Sequence, residues 1–193
     1  MALWGKSDAD ESKPKWLTTA EKKEVYATAS GWVREAGSSW SGNGNTSAQA
    51  EVLACIGSLS TDIGAADVTE VEWITTSFSK SAAAASGRTL SVRVRYNEPV
   101  TVTGNPTLVV TNDTNANHTL VYASGTGSNE LTFTLVIAQN DAATDADDVL
   151  SIAAQDIALA GGTLKDATGT ASDSAVEIAA AAVASTGTIT VVA

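Results

Sequence analysis

Residues 89–96 read TLSVRVRY, and residues 131–137 read LTFTLVI. In the first, Leu90, Val92, Val94 and Tyr96 alternate with Ser91, Arg93 and Arg95. In the second, Leu131, Phe133, Leu135 and Ile137 alternate with Thr132 and Thr134. A period of two sends successive side chains to opposite faces of an extended chain, so both stretches predict strands with one buried face. Working outward, TLVVT at 107–111 follows a Gly-Asn-Pro turn at 104–106. TLVYA at 119–123 is joined to 131–137 by SGTGSN at 124–129, which reads as a hairpin. Further strands are expected at 72–76, 149–153, 156–159 and 188–192. Short strands at this turn-punctuated spacing predict an immunoglobulin-like β-sandwich over 71–193.

The stretch 1–70 has a different character. Four of the five tryptophans and six of the eleven Lys and Arg residues lie there. Thr18 with Glu21 has the capping-box spacing and predicts a short helix through Tyr26. GWVR at 31–34 reads as a strand, 38–47 as a loop, and AQAEVLACIG at 48–57 as either a strand or a buried helix. The fold class expected is therefore mainly β: a small N-terminal β-rich anchoring domain, 1–70, followed by the sandwich. Exposed indoles are costly unless a partner covers them, and tryptophan is enriched where interfaces carry their energy. Trp4, Lys6, Lys15, Trp16, Trp32 and Trp40 form the expected partner-binding set. The competing expectation is a small aromatic core of Trp16, Trp32 and Tyr26, with Trp4 and Trp40 turned outward.

Lys and Arg total 11 against 22 Asp and Glu, a formal net charge of -11. That charge repels phosphate backbones and anionic lipid, so neither nucleic acid nor a membrane is an expected partner. One histidine, His118 in an expected loop, and one cysteine, Cys55 in an apolar run where a buried thiol is expected, supply no evident nucleophile–base pair and no zinc ligand set. No glycine spacing matches a nucleophile elbow or a phosphate loop. The expectation is a protein that is not an enzyme and carries no cofactor. The one chemical candidate is calcium: Asp141, Asp145, Asp147 and Asp148 place four carboxylates within eight residues, and hard cations take oxygen clusters. The spacing is not that of an EF-hand, and a solvated acidic loop is the plainer alternative.

Two resemblances add to this reading. VRYNEPVTVTGNPTL at 94–108, YASGTG at 122–127, LTF at 131–133 and GGTLKD at 161–166 resemble, in order and spacing, the bacterial immunoglobulin-like repeat of large surface adhesins. That repeat usually continues DAAGN, where this chain has DATGT at 166–170, keeping a turn at Gly169 but not the Asn. MALWG at 1–5, KPKWL at 13–17, VYAT at 25–28, GWV at 31–33 and AEVLA at 50–54 resemble short structural proteins of tailed phages of marine cyanobacteria. The second resemblance implies a capsid decoration-like protein on the outer surface of the virion. It would be made in the host cytoplasm, in keeping with a start that shows no secretory signal. Its partner would be the major capsid protein or another virion protein, met as a homo-oligomer or as many symmetric copies. Two alternatives stand beside it: a tail, neck or fibre component whose sandwich touches the host cell surface, and a surface- or carbohydrate-binding module unrelated to a virion.

Overall fold

The structure, a computed structural model, describes residues 5–7, 12–167 and 176–193. The turn expected at Gly169 lies outside the described residues. Among those described, the chain is mainly β and divides into a three-stranded N-terminal sheet and a sandwich.

The N-terminal unit opens with α1 (Thr19–Lys22), a single turn closed by the expected capping box: the Glu21 amide donates to Thr18 Oγ1 at 3.3 Å, and the Thr18 amide to Glu21 Oε2 at 2.8 Å. The helix stops four residues short of the expected end. Val25, Tyr26 and Thr28 are β-branched or aromatic, and they form β1 (Val25–Thr28) instead. β1 pairs antiparallel with β2 (Gly31–Arg34), and β2 with β3 (Glu51–Cys55), which resolves the ambiguous 48–57 run as an edge strand. Gly31 is required here. It sits at φ 134°, and a Cβ would stand 2.0 Å from the Ala54 carbonyl oxygen. With α2 (Leu59–Asp62), this sheet encloses a small core of Leu17, Val25, Ala27, Trp32, Leu59 and Ile63.

The sandwich begins with β4 (Val68–Trp73) and β5 (Phe78–Ser79), followed by the fifteen-residue β6 (Thr89–Thr103). Then come β7 (Thr107–Asn112), β8 (His118–Ser124), β9 (Ser128–Val136), β10 (Val149–Ser151) and, later, β14 (Thr188–Val192). The order β4-β6-β9-β8 makes one face and β7-β10-β14 the other, with the β7–β8 hairpin joining them. Because β7 and β8 also pair with each other, the strands form one curled sheet of β-sandwich-like character. The alternation read from sequence sets the register: Leu90 opposite Leu135, Val92 opposite Phe133 and Val94 opposite Leu131, all inward. Gly125, at φ 114°, lets the β8–β9 hairpin close; a Cβ there would lie 2.0 Å from the Glu130 carbonyl oxygen.

Between β10 and β14 the chain makes a long excursion. β11 (Gln155–Asp156) pairs with β13 (Glu177–Ile178), and β12 (Thr163–Asp166) runs against the far end of β6. α3 (Ala180–Val183) then packs on β4. The two faces are stitched at this edge: Thr186 Oγ1 donates to the Val71 carbonyl at 2.6 Å, and Trp73 Nε1 to the Gly187 carbonyl at 3.3 Å.

The boundary expected at 70/71 falls inside β4. Val68 and Glu70 already pair with Tyr96 and Arg95 of β6, and Ala66 is buried in the sandwich core. The sandwich therefore needs residues from about Ala66 onward. A fragment 66–193 should be more stable than 71–193 by roughly 2–3 kcal/mol, the scale for losing buried apolar contacts and one end of a strand. Urea denaturation of the two fragments checks this; equal midpoints would place the boundary where the sequence suggested.

Candidate functional site

Trp32 organises the N-terminal unit. Its indole is fully buried, its Nε1 donates to the Gly5 carbonyl at 3.0 Å, and Lys13 Nζ lies 5.8 Å from the ring centroid. Lys13 is itself buried and donates to the Lys22 carbonyl at 2.8 Å, which ties the segment before α1 to the helix end. Trp32 is thus removed from the expected partner-binding set. It alternates on β2 with the strand's other face and fills a core that has few other large side chains.

Trp16 and Trp40 stand in the opposite condition. Trp16 is 68% exposed and Trp40 50%. Trp16 lies two residues before the Thr18 cap, and Lys15 beside it is also exposed. Trp40 sits on a pinned loop: its amide donates to Ser38 Oγ at 3.2 Å, and Ser38 Oγ in turn donates to Glu24. One guanidinium holds both supports. Buried Arg34 donates to the Trp40 carbonyl at 3.2 Å and pairs with Glu21 of α1 at 3.8 Å and Glu51 of β3 at 3.4 Å. Two bare indoles on well-held backbone lose little entropy when covered, as a docking surface requires. Val52, 51% exposed on β3, adds apolar area to the same unit. Lys6 pairs with Asp62, and Trp4 lies outside the described residues.

The junction of the two units holds the densest charge. Arg95, on β6 and almost fully buried, meets Glu35 at 3.0 Å, Glu70 at 2.9 Å, Glu72 at 3.0 Å and Glu130 at 2.9 Å. Alternation on TLSVRVRY had assigned Arg95 to an outward face, which it occupies; the N-terminal unit then covers that face. The isolated sequence carried no signal for this.

The four aspartates of the calcium candidate go to separate tasks. Asp141 accepts from the Ala143 amide, and Asp145 pairs with Lys80 at 2.9 Å. Asp148 is buried and accepts from Asn112 Nδ2 at 2.7 Å, Asn115 Nδ2 at 3.0 Å, the Asp145 amide at 2.8 Å and Thr114 Oγ1. Burial alone would raise its carboxyl; the bonds from Thr114, Asn112, the Asp145 amide and Asn115 outweigh that and hold it well below the usual range. Asp147 takes a left-handed backbone at φ 71°. Among the described residues, no three His, Cys, Asp or Glu side chains are grouped to hold a metal. Asp148 is the post to which the 112–115 turn and the 141–148 loop are tied.

Two expectations are corrected. His118 does not lie in a loop: it begins β8, is buried, and its Nε2 stands 3.2 Å from Thr144 Oγ1. Burial pushes its imidazole below the ordinary value, against the pull of Asp141 and Asp148. Cys55 is exposed rather than buried, because it ends an edge strand with no neighbour beyond it in the sheet. No helix among the described residues is long and apolar enough to cross a membrane. Comparison with known protein families, with curated proteins and with solved structures finds no match.

Trp32→Ala should destabilise the protein by about 3–5 kcal/mol, whereas Trp16→Ala and Trp40→Ala should each stay within about 0.5 kcal/mol of wild type. Thermal denaturation of the three variants separates core from surface indoles. Asp148→Asn, which leaves one acceptor oxygen for four donors, should cost about 2–3 kcal/mol at pH 6. A carboxyl held low adds stability above its ordinary value near ~3.9 and loses it as pH falls further, so the gap to wild type should narrow at pH 2.5. A gap that widens on acidification would contradict the role given to Asp148.

Proposed function

We propose that this chain is a non-catalytic structural protein of a virus particle, a capsid decoration protein that grips the shell through its N-terminal unit and projects the sandwich outward. The observation that carries this reading is the pair of exposed indoles, Trp16 and Trp40, on supports locked by Arg34. The resemblance of the 1–60 segments to phage structural proteins supplies the class of partner. The chain's net charge of -11 suits a module facing solvent, since like-charged outer surfaces do not adhere to one another. Presentation around a symmetric shell lets modest single contacts sum by avidity. The buried polar groups described above serve as ties within the fold: Asp148 anchors two loops, Arg95 joins the two units, and His118 faces Thr144.

The test is binding of purified protein to shells that lack it, read by sedimentation, with location on intact particles read by labelled electron microscopy. Trp16→Ala and Trp40→Ala should each weaken binding by about 30-fold, the effect of losing an interface residue that contributes about 2 kcal/mol. The 66–193 fragment should not bind. Label confined to tails would move the protein to the tail reading. Unchanged binding by both tryptophan variants would remove the N-terminal unit as the anchor.

A further inference from the structure

Four carboxylates and three cations interlock where the N-terminal unit meets the sandwich. Glu70 pairs with Lys23 at 2.8 Å as well as with Arg95. Glu72 pairs with Arg93 at 2.9 Å and Glu130 with Arg93 at 3.3 Å, each again in addition to Arg95. Glu35 differs, because Arg95 is its one cationic partner among the described residues, shared with the other three. Its second oxygen, Oε2, is buried and receives no donor, while the Glu35 carboxyl lies within hydrogen-bonding reach of the Glu130 carboxyl, a contact that a shared proton satisfies. Glu35 is also the carboxylate of the four that the N-terminal unit contributes, just beyond β2, while the others belong to β4 and β9. It is therefore the surplus negative charge, and it reaches across the junction.

We propose that this junction is a proton-operated clasp: Glu35 carries a proton in the closed arrangement, and loss of that proton loosens the N-terminal unit from the face of the sandwich. The groups around Glu35 all bear on the balance. Tyr26 of β1 and Glu24 approach from its own unit; Glu70 and Glu72 of β4, Arg93 and Arg95 of β6, and Glu130 of β9 approach from the sandwich. A groove of about 510 Å³ beside them admits water and ions to the charged side. Burial is the largest influence on the Glu35 carboxyl and raises it, Arg95 draws it down, and Glu130 raises it again, leaving it at about 7. Released from the junction, the same carboxyl titrates near its ordinary value of ~4.3. The closed form thus binds a proton that the open form does not between those limits. Closure is strongest below the lower limit, weakens as pH rises through the window, and reaches its full loss above about 7. The weakening across the whole window is on the order of 500-fold in the opening equilibrium.

Hydrogen–deuterium exchange on the full chain at pH 5.5 and pH 8.5, corrected for the intrinsic pH dependence of exchange, reads the clasp at the amides of 24–35, with the β7–β8 hairpin as internal reference. Opening at 24–35 should rise by about 30-fold from pH 5.5 to pH 8.5 in wild type while the hairpin stays protected. Glu35→Gln, which keeps the shape and cannot ionise, should show low opening at both pH values. A wild type whose junction opens equally at both, or an E35Q protein with the same rise, overturns the proposal. Should E35Q fold poorly, carboxyl-carbon NMR of wild-type Glu35 decides alone: a midpoint matching the exchange transition supports the clasp, and one near the ordinary value sinks it.

Discussion

Everything in this fold leans on one buried guanidinium. Arg95 is nearly inaccessible, and a charge there is tolerable only because carboxylates from two strands and one loop surround it. Burial disfavours its charged form, and the carboxylates around it more than compensate. The arrangement makes geometry obligatory: removing an ionised sandwich partner, Glu70, Glu72 or Glu130, leaves charge uncompensated, a loss on the scale of about 3–5 kcal/mol in buried pairs. The two units meet through this charge cluster, with Lys23 adding a second bridge to Glu70 and a bond to Ser185. Their apolar cores remain separate.

That separation divides the labour. The sandwich builds its core from aliphatic side chains on an alternating pattern and adds the single edge-to-face pair of Tyr122 and Phe133, with ring centroids 6.1 Å apart. The N-terminal unit has too few aliphatic residues for that and closes around one indole instead. Because Trp32 fills the interior, Trp16 and Trp40 are left for the outside, and Arg34 keeps their supports from wandering.

The strands of the sandwich were legible because each has one wet face and one dry face, the condition under which a period of two is written into the residues. The capping box was legible because it is a local device, complete within four residues. What could not be read is whatever depends on a distant cover. Arg95 looked like an ordinary outward side chain until the other unit was placed on it. Trp32 and Trp16 are the same residue type in similar polar surroundings, and only the path of β3 and α2 decides which is inside. The acidic run at 141–148 suggested a cation because sequence displays charge and hides donors; Asn112, Thr114 and Asn115, some thirty residues away, are what Asp148 meets. Cys55 reads as buried for a related reason, since an apolar run does not reveal that its strand lies at an edge.

The short parallel pair of β5 with β14 has a kinetic meaning. Phe78 lies beside Val191, so the chain must join segments more than a hundred residues apart before the second face is complete. Closing so long a loop is entropically expensive and gains nothing until the late excursion has packed, which places this topology among slow folders. Until β14 arrives, β10 lacks its outer neighbour and presents an unpaired edge. Crowded nascent chains are therefore most prone to cross-pairing in that interval, and the surplus of negative charge on the sandwich repels them while the last strand is found.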